Sequence, residues 1–161
     1  MKRRFFASLI AMLVLSTAMF GQGNANLSGT WAIDRNATPT GRGAGGINGI
    51  VIASTLVIRL SPNDVTVVSD TGSGQTLQTS VYKLDGSSNP VPGPLGWDTT
   101  AKASWEGPNL VVTTRRSMTG PTGPMGVDVK DIYSVAGDVL TIDRSMGRVT
   151  QKLFYKKGDS R

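Results

Sequence analysis

The chain has 161 residues, which suits one domain better than two. It contains no Cys and no His, so disulfides, zinc sites built on nitrogen or sulfur, imidazole-ligated haem and Ser-His or Cys-His catalysis are excluded, and no cofactor is implied. The formal charge is +6, but without Lys2, Arg3 and Arg4 of the leader the 17 basic side chains become 14 against 11 acidic ones. These are scattered rather than clustered, which argues against nucleic acid as a partner.

Residues 1–25 read as a secretory signal peptide. Lys2-Arg3-Arg4 forms the positive head, Phe5 to Phe20 is apolar apart from Ser8, Ser16 and Thr17, and Gly23-Asn24-Ala25 supplies small residues for cleavage after Ala25. The apolar run falls short of the ~20 residues a spanning helix needs, and no second such run follows. The expectation is a secreted or periplasmic domain over 26–161, with no membrane insertion after cleavage.

Leu27 to Asp34 reads as the first strand. Leu27, Gly29, Trp31 and Ile33 share one face, and Ser28, Thr30, Ala32 and Asp34 the other. Trp31 is expected to be buried, plugging one end of the fold against late residues such as Leu153 or Tyr155. Gly29 is expected to leave room for a neighbouring backbone.

Arg35 to Asn48 is rich in Gly, Thr and Pro. Within it, Gly41 to Gly46 fits the dinucleotide pattern G-x-G-x-x-G. That motif needs a helix directly after it, and the β-branched run Ile50-Val51-Ile52 follows instead, so the stretch is expected to be a loop.

Strand-like segments then recur at nearly regular spacing: 54–60, 64–69, 75–84, 98–105, 110–118, 127–135, 140–145 and 149–156. Two further loops separate them, 87–97, where Pro90, Pro92 and Pro94 bar ladder hydrogen bonds, and 119–126. The twenty Gly and eight Pro suit the many turns. With no helical period after the leader, the expected architecture is all-β. It is an antiparallel up-and-down barrel of about 8–10 strands, because sequential hairpins make a meander and closure removes its edges.

Four blocks in this order carry a resemblance: Leu27 to Trp31 (L-S-G-T-W), Trp105 to Val112 (W-E-G-x-x-L-V-V), Leu140 to Arg144 (L-T-I-D-R) and Gln151 to Tyr155 (Q-K-L-x-Y). The G-x-W in the first resembles the calycin group, lipocalins and fatty-acid-binding proteins. The set together is similar to small exported lipocalin-like proteins of soil bacteria whose function is unknown. The resemblance implies a barrel with a ligand-sized interior and no particular ligand. Fatty-acid-binding proteins hold a carboxylate with R-x-Y near the C-terminus, and here Leu153 stands two before Tyr155. Lipocalins pack a late Arg over the tryptophan, where Lys156 and Lys157 are the nearest candidates. Neither site carries over.

The residues themselves suggest another site. Arg116, Asp131 and Arg144 fall on the apolar parity of their strands, as does Tyr133, so period 2 points them inward. Counting from the connecting turns puts Arg116 and Arg144 within about two residues of the level of Asp131. One arginine charge is then unpaired and would take an anionic head group. The alternative is that both guanidinium groups sit in solvent at a barrel mouth. The first expectation for function is therefore an exported binding protein for a small apolar or anionic amphiphilic molecule, with Arg116, Asp131, Tyr133 and Arg144 as ligand-binding residues. A second is a cell-envelope or extracellular interaction module with a filled barrel, meeting an unknown protein partner through its loops. Catalysis is not expected: Glu106, Asp34, Asp131 and Asp143 show no spacing that demands a carboxylate pair.

Overall fold

The computed structural model describes residues 24–39, 52–70 and 76–158, of which the side chains of 76 and 77 are left aside. The signal peptide, apart from its last two residues, and the stretch Gly41 to Gly46 lie outside the described residues.

Ten strands form one antiparallel sheet: β1 Gly29–Ile33, β2 Thr55–Leu60, β3 Asp64–Asp70, β4 Thr76–Lys83, β5 Asn89–Pro90, β6 Asp98–Glu106, β7 Asn109–Gly120, β8 Gly123–Ala136, β9 Val139–Met146 and β10 Val149–Lys157. Their order is β4-β3-β2-β1-β10-β9-β8-β7-β6-β5. Every chain-consecutive pair is adjacent except β4 and β5, and β1 meets β10. The sheet is thus an up-and-down barrel, nearly closed, with a seam between β4 and β5. Tight hairpins make the meander possible. At Gly137, φ is +59°, a value only glycine adopts freely, and it suits a two-residue turn.

Two segments differ from the expectation. The first is Asn89–Pro90, which pairs with Ala101 and Thr100 on β6. Pro90 lacks a donor, but Val91 N–H reaches the Thr99 carbonyl at 3.1 Å, so the proline is tolerated in a two-residue edge strand. The second is 119–126, which is not a loop. Strands β7 and β8 continue through it to a turn at 121 and 122, with Met118 opposite Met125 and Gly120 opposite Gly123. Glycine and proline hide the alternation there without preventing the ladder.

Trp31 is buried among late residues, as expected. It is 1% exposed and shares the core with Leu27, Leu56, Leu153 and Tyr155. Its indole N–H donates to the Leu27 carbonyl at 2.9 Å, so the polar edge of the ring is satisfied inside the core. The Lys157 ammonium lies 5.9 Å from the ring centroid, within cation–π range. Leu27 is fully buried, and Ala25 N–H reaches the Pro108 carbonyl at 3.3 Å, so the segment before β1 crosses this end of the barrel. Gly29 matters for a different reason than expected. Its φ is +144°, and a Cβ there would meet only the Lys157 and Trp31 side chains at ordinary contact distances, with no backbone close by.

Candidate functional site: a polar cavity inside the barrel

Between the Trp31 end and the opposite end lies a cavity of about 400 Å³. That volume is in the range of small-molecule sites. Leu56, Val67, Ile142 and Leu153 give it apolar wall, and Arg116, Asp131, Tyr133 and Arg144 all line it.

The ladder explains which of those four meet. Asp131 on β8 stands opposite Arg144 on β9. Arg144 Nε donates to Asp131 Oδ1 at 2.7 Å and Nη2 to Oδ2 at 2.8 Å, a bidentate pair whose side chains are only 15% and 11% exposed. Burial alone would push the Arg144 guanidinium down; the Asp131 charge and hydrogen bonds reverse this, and its pKa is raised. The solvent-facing alternative therefore fails for Arg144.

Arg116 is elsewhere. Asp131 faces Val112 on β7, while Arg116 faces Val127 on β8 and Thr99 on β6. Arg116 thus stands four residues along β7 from the level of Asp131, not two, because the β7–β8 hairpin is centred on 121 and 122, one residue earlier than a loop over 119–126 implies. It makes no ion pair among the described residues, and its Nε is buried without a hydrogen-bond partner. Burial first, and then the neighbouring Arg144 charge, hold its pKa below the ordinary arginine value. A guanidinium stays charged throughout the accessible pH range. Of the two inward arginines, one is neutralised and one is not.

Tyr133 is buried, and that burial lifts its phenol well above the ordinary tyrosine pKa. Tyr155 also borders the cavity, donates its hydroxyl to the Ala53 carbonyl at 3.1 Å, and is pushed up by burial to about 12.

Sequence reasoning passed over three cavity residues on β4: Gln78, Ser80 and Tyr82. In that strand the more apolar parity points outward, leaving Val81 43% exposed, while the polar parity points in. Gln78 Nε2 donates to Ser80 Oγ at 2.9 Å, and Ser80 is only 3% exposed. Period 2 shows which residues share a face but not which face is inside when both are mixed. The turn after β5 completes the wall. Gly93 borders the cavity and sits against Thr99 so closely that a Cβ at 93 would overlap the threonine side chain.

The carboxylates considered for chemistry are held apart. Asp143 belongs to the outer parity of β9 and pairs with Lys152 at 3.0 Å. Asp34 holds Lys156 at 2.8 Å and accepts the backbone N–H groups of Asn36 and Ala37, and its pKa is lowered, chiefly by the Lys156 bond. Glu106 ends β6 on the surface. Among the described residues there is no cluster of acidic side chains that would hold a metal ion and no helix long and apolar enough to cross a membrane.

Neither a family model nor a curated protein matches the chain. Solved structures do. A secretory abundant heat soluble protein from Ramazzottius varieornatus superposes with a TM-score of 0.58 at 19% identity, covering 86% of this chain and 99% of that one. The REP1-NXSQ fatty acid transporter gives 0.56 at 14% identity, covering 84% and 98%. The fluorescent protein UnaG gives 0.55 at 16% identity, covering 82% and 97%. At these identities the likeness is one of fold: the chain has the antiparallel, up-and-down barrel of calycin type.

Proposed function

We propose that the protein binds a small anionic amphiphile inside its barrel. The observation that carries this is the charge of the cavity wall. Arg144 is neutralised by Asp131, and Arg116 faces the same cavity with no acidic partner among the described residues. A half-buried charge without a partner is costly, and a ligand carboxylate relieves the cost. The apolar wall of Leu56, Val67, Ile142 and Leu153 receives the rest of the molecule. The shared fold with a fatty acid transporter is consistent with this use of the interior. The activity proposed is holding a ligand, not transforming it.

Titration with dansyl-undecanoate tests the reading. Wild type should bind with enhanced dansyl fluorescence, and Arg116→Met should weaken binding by about 2–5 kcal/mol, the usual loss when one partner of a buried charge pair is removed. Equal affinity, or no binding to wild type, would leave an interaction module, meeting a partner through its loops, as the better account.

The proposed place of action is outside the cytoplasm. Lys2-Arg3-Arg4, the apolar run and Gly23-Asn24-Ala25 support it. Exported protein should begin at Asn26 on N-terminal sequencing. Retention of Met1 would contradict export by cleavage.

A further inference from the structure

The β4–β5 seam is the one place where consecutive strands are not joined by a backbone ladder. Hydrogen bonds span it instead: Asn89 Nδ2 donates to the Val81 carbonyl at 2.9 Å, Lys83 N–H to Asn89 Oδ1 at 3.4 Å, and Gly86 N–H to the Ala103 carbonyl at 3.1 Å. Asn89 stands opposite Ala101 on β6, and Arg116 stands opposite Thr99, one inward position further along that strand. The bridge to Val81 therefore brings its neighbour Tyr82 close to the level of Arg116 on the other bank. The two groups sense one another: each contributes to the electrostatic environment of the other.

The two banks offer complementary chemistry. Arg116 brings donors only. The row Gln78, Ser80 and Tyr82 brings an amide and two hydroxyls, with Gln78 already bonded to Ser80. All four side chains border the cavity. A carboxylate has lone pairs enough to accept from both banks at once. A single guanidinium would bind it less specifically than a guanidinium opposed by hydroxyls.

We propose that the ligand's carboxylate is held across the seam, one side on Arg116 of β7 and the other on the Tyr82–Ser80 hydroxyls of β4, so that bound ligand cross-links the two banks of the barrel. This rests on the anionic-ligand reading above and adds where the head group sits and what it does to the fold. The apolar tail then points towards Leu56 and Leu153. Free protein opens locally along β4, and ligand suppresses that opening.

The test uses dodecanoate as the ligand and two readouts. Amide hydrogen exchange of wild-type β4, followed at Ser80 and Tyr82, whose N–H groups face β3, should slow about tenfold or more at saturation, with β9 as the control strand and little changed. The variant carrying Tyr82→Phe and Ser80→Ala should lose about tenfold or more in affinity, as should Arg116→Met. The exchange measurement uses wild type and stands whether or not a variant folds. If dodecanoate binds and Arg116→Met weakens it, but β4 exchange is unchanged or the double variant binds as wild type does, the seam proposal is overturned and the anionic-ligand reading survives. If dodecanoate does not bind wild type at all, both fall.

Discussion

Asn89 gives its side-chain amide to the Val81 carbonyl and accepts the Lys83 N–H, at 2.9 and 3.4 Å, so one residue of β5 stands in for a strand pairing that the backbone does not make. Each such bond contributes about 0.5–1.5 kcal/mol net. Asn89→Ala should therefore destabilise the protein by about 1–2 kcal/mol, seen as a lower denaturant midpoint with an unchanged slope. Faster amide exchange should be confined to β4. A uniform rise in exchange across the sheet would show that Asn89 is no local clasp.

Trp31 and Leu27 form the second relationship open to test. Trp31→Ala removes a fully buried aromatic and should cost about 3–5 kcal/mol. Trp31→Phe keeps most of the volume but strands the Leu27 carbonyl inside the core, which should cost about 1–3 kcal/mol. Urea unfolding of the two variants checks both. If Trp31→Ala behaves as a surface substitution does, the closed end is not held by its tryptophan.

The Asp131–Arg144 pair separates charge from packing. Removing one member of a buried pair leaves the other uncompensated and should cost about 3–5 kcal/mol. A lone carboxylate can lose its charge by taking up a proton, whereas a lone guanidinium cannot shed one. Asp131→Leu should thus be the more damaging single change, compared with Arg144→Met. The double substitution should recover most of the loss, because an apolar pair of similar volume replaces a desolvated ionic one. A double-mutant cycle on thermal or chemical unfolding gives the coupling directly. Additive losses would mean that the two side chains are not coupled.

The tyrosines predict an alkaline limit. All three in the chain, Tyr82, Tyr133 and Tyr155, are buried, and burial raises each phenol above its ordinary value, Tyr155 to about 12. A raised folded-state pKa stabilises the neutral form. That contribution is fully present below the ordinary value of 10.0 and is lost as pH climbs towards the folded value. Stability should fall between about pH 10 and pH 12, and phenolate absorbance should rise together with unfolding rather than before it. Tyr155→Phe should flatten part of that fall. Phenolate absorbance appearing in the folded protein near pH 10 would show that the rings are solvated.

Much of the fold was legible because the signal that specifies strands is local. Nine strands follow from alternation punctuated by Gly, Pro and Asn, and the antiparallel meander follows from the short hairpins. What escaped was non-local or chemically masked. Asn89–Pro90 is a strand only because β6 lies beside it. The arm from Met118 to Met125 is rich in Gly and Pro, and reading it as a loop shifts the β7–β8 register by two residues. That register moves Arg116 towards Asp131, whereas for Arg144, expected within about two residues of Asp131's level, the ladder puts the two directly opposite. On β4 both parities are mixed in polarity, and only the closed barrel decides that Gln78, Ser80 and Tyr82 face inward.

The pairing of β1 with β10 sets the order in which this barrel can assemble. Trp31 lies beside Leu56 on one side, a local neighbour, and beside Lys157 on the other, the far end of the described chain. The hairpins from β6 to β10 join near neighbours and can form early. The tryptophan end cannot be sealed until β10 is in place, since β10 supplies one of the two strands that flank β1. Folding is therefore gated by the slowest kind of contact, a closure between distant positions. A chain emerging from the ribosome holds Trp31 unsealed until nearly all of this sequence has been made.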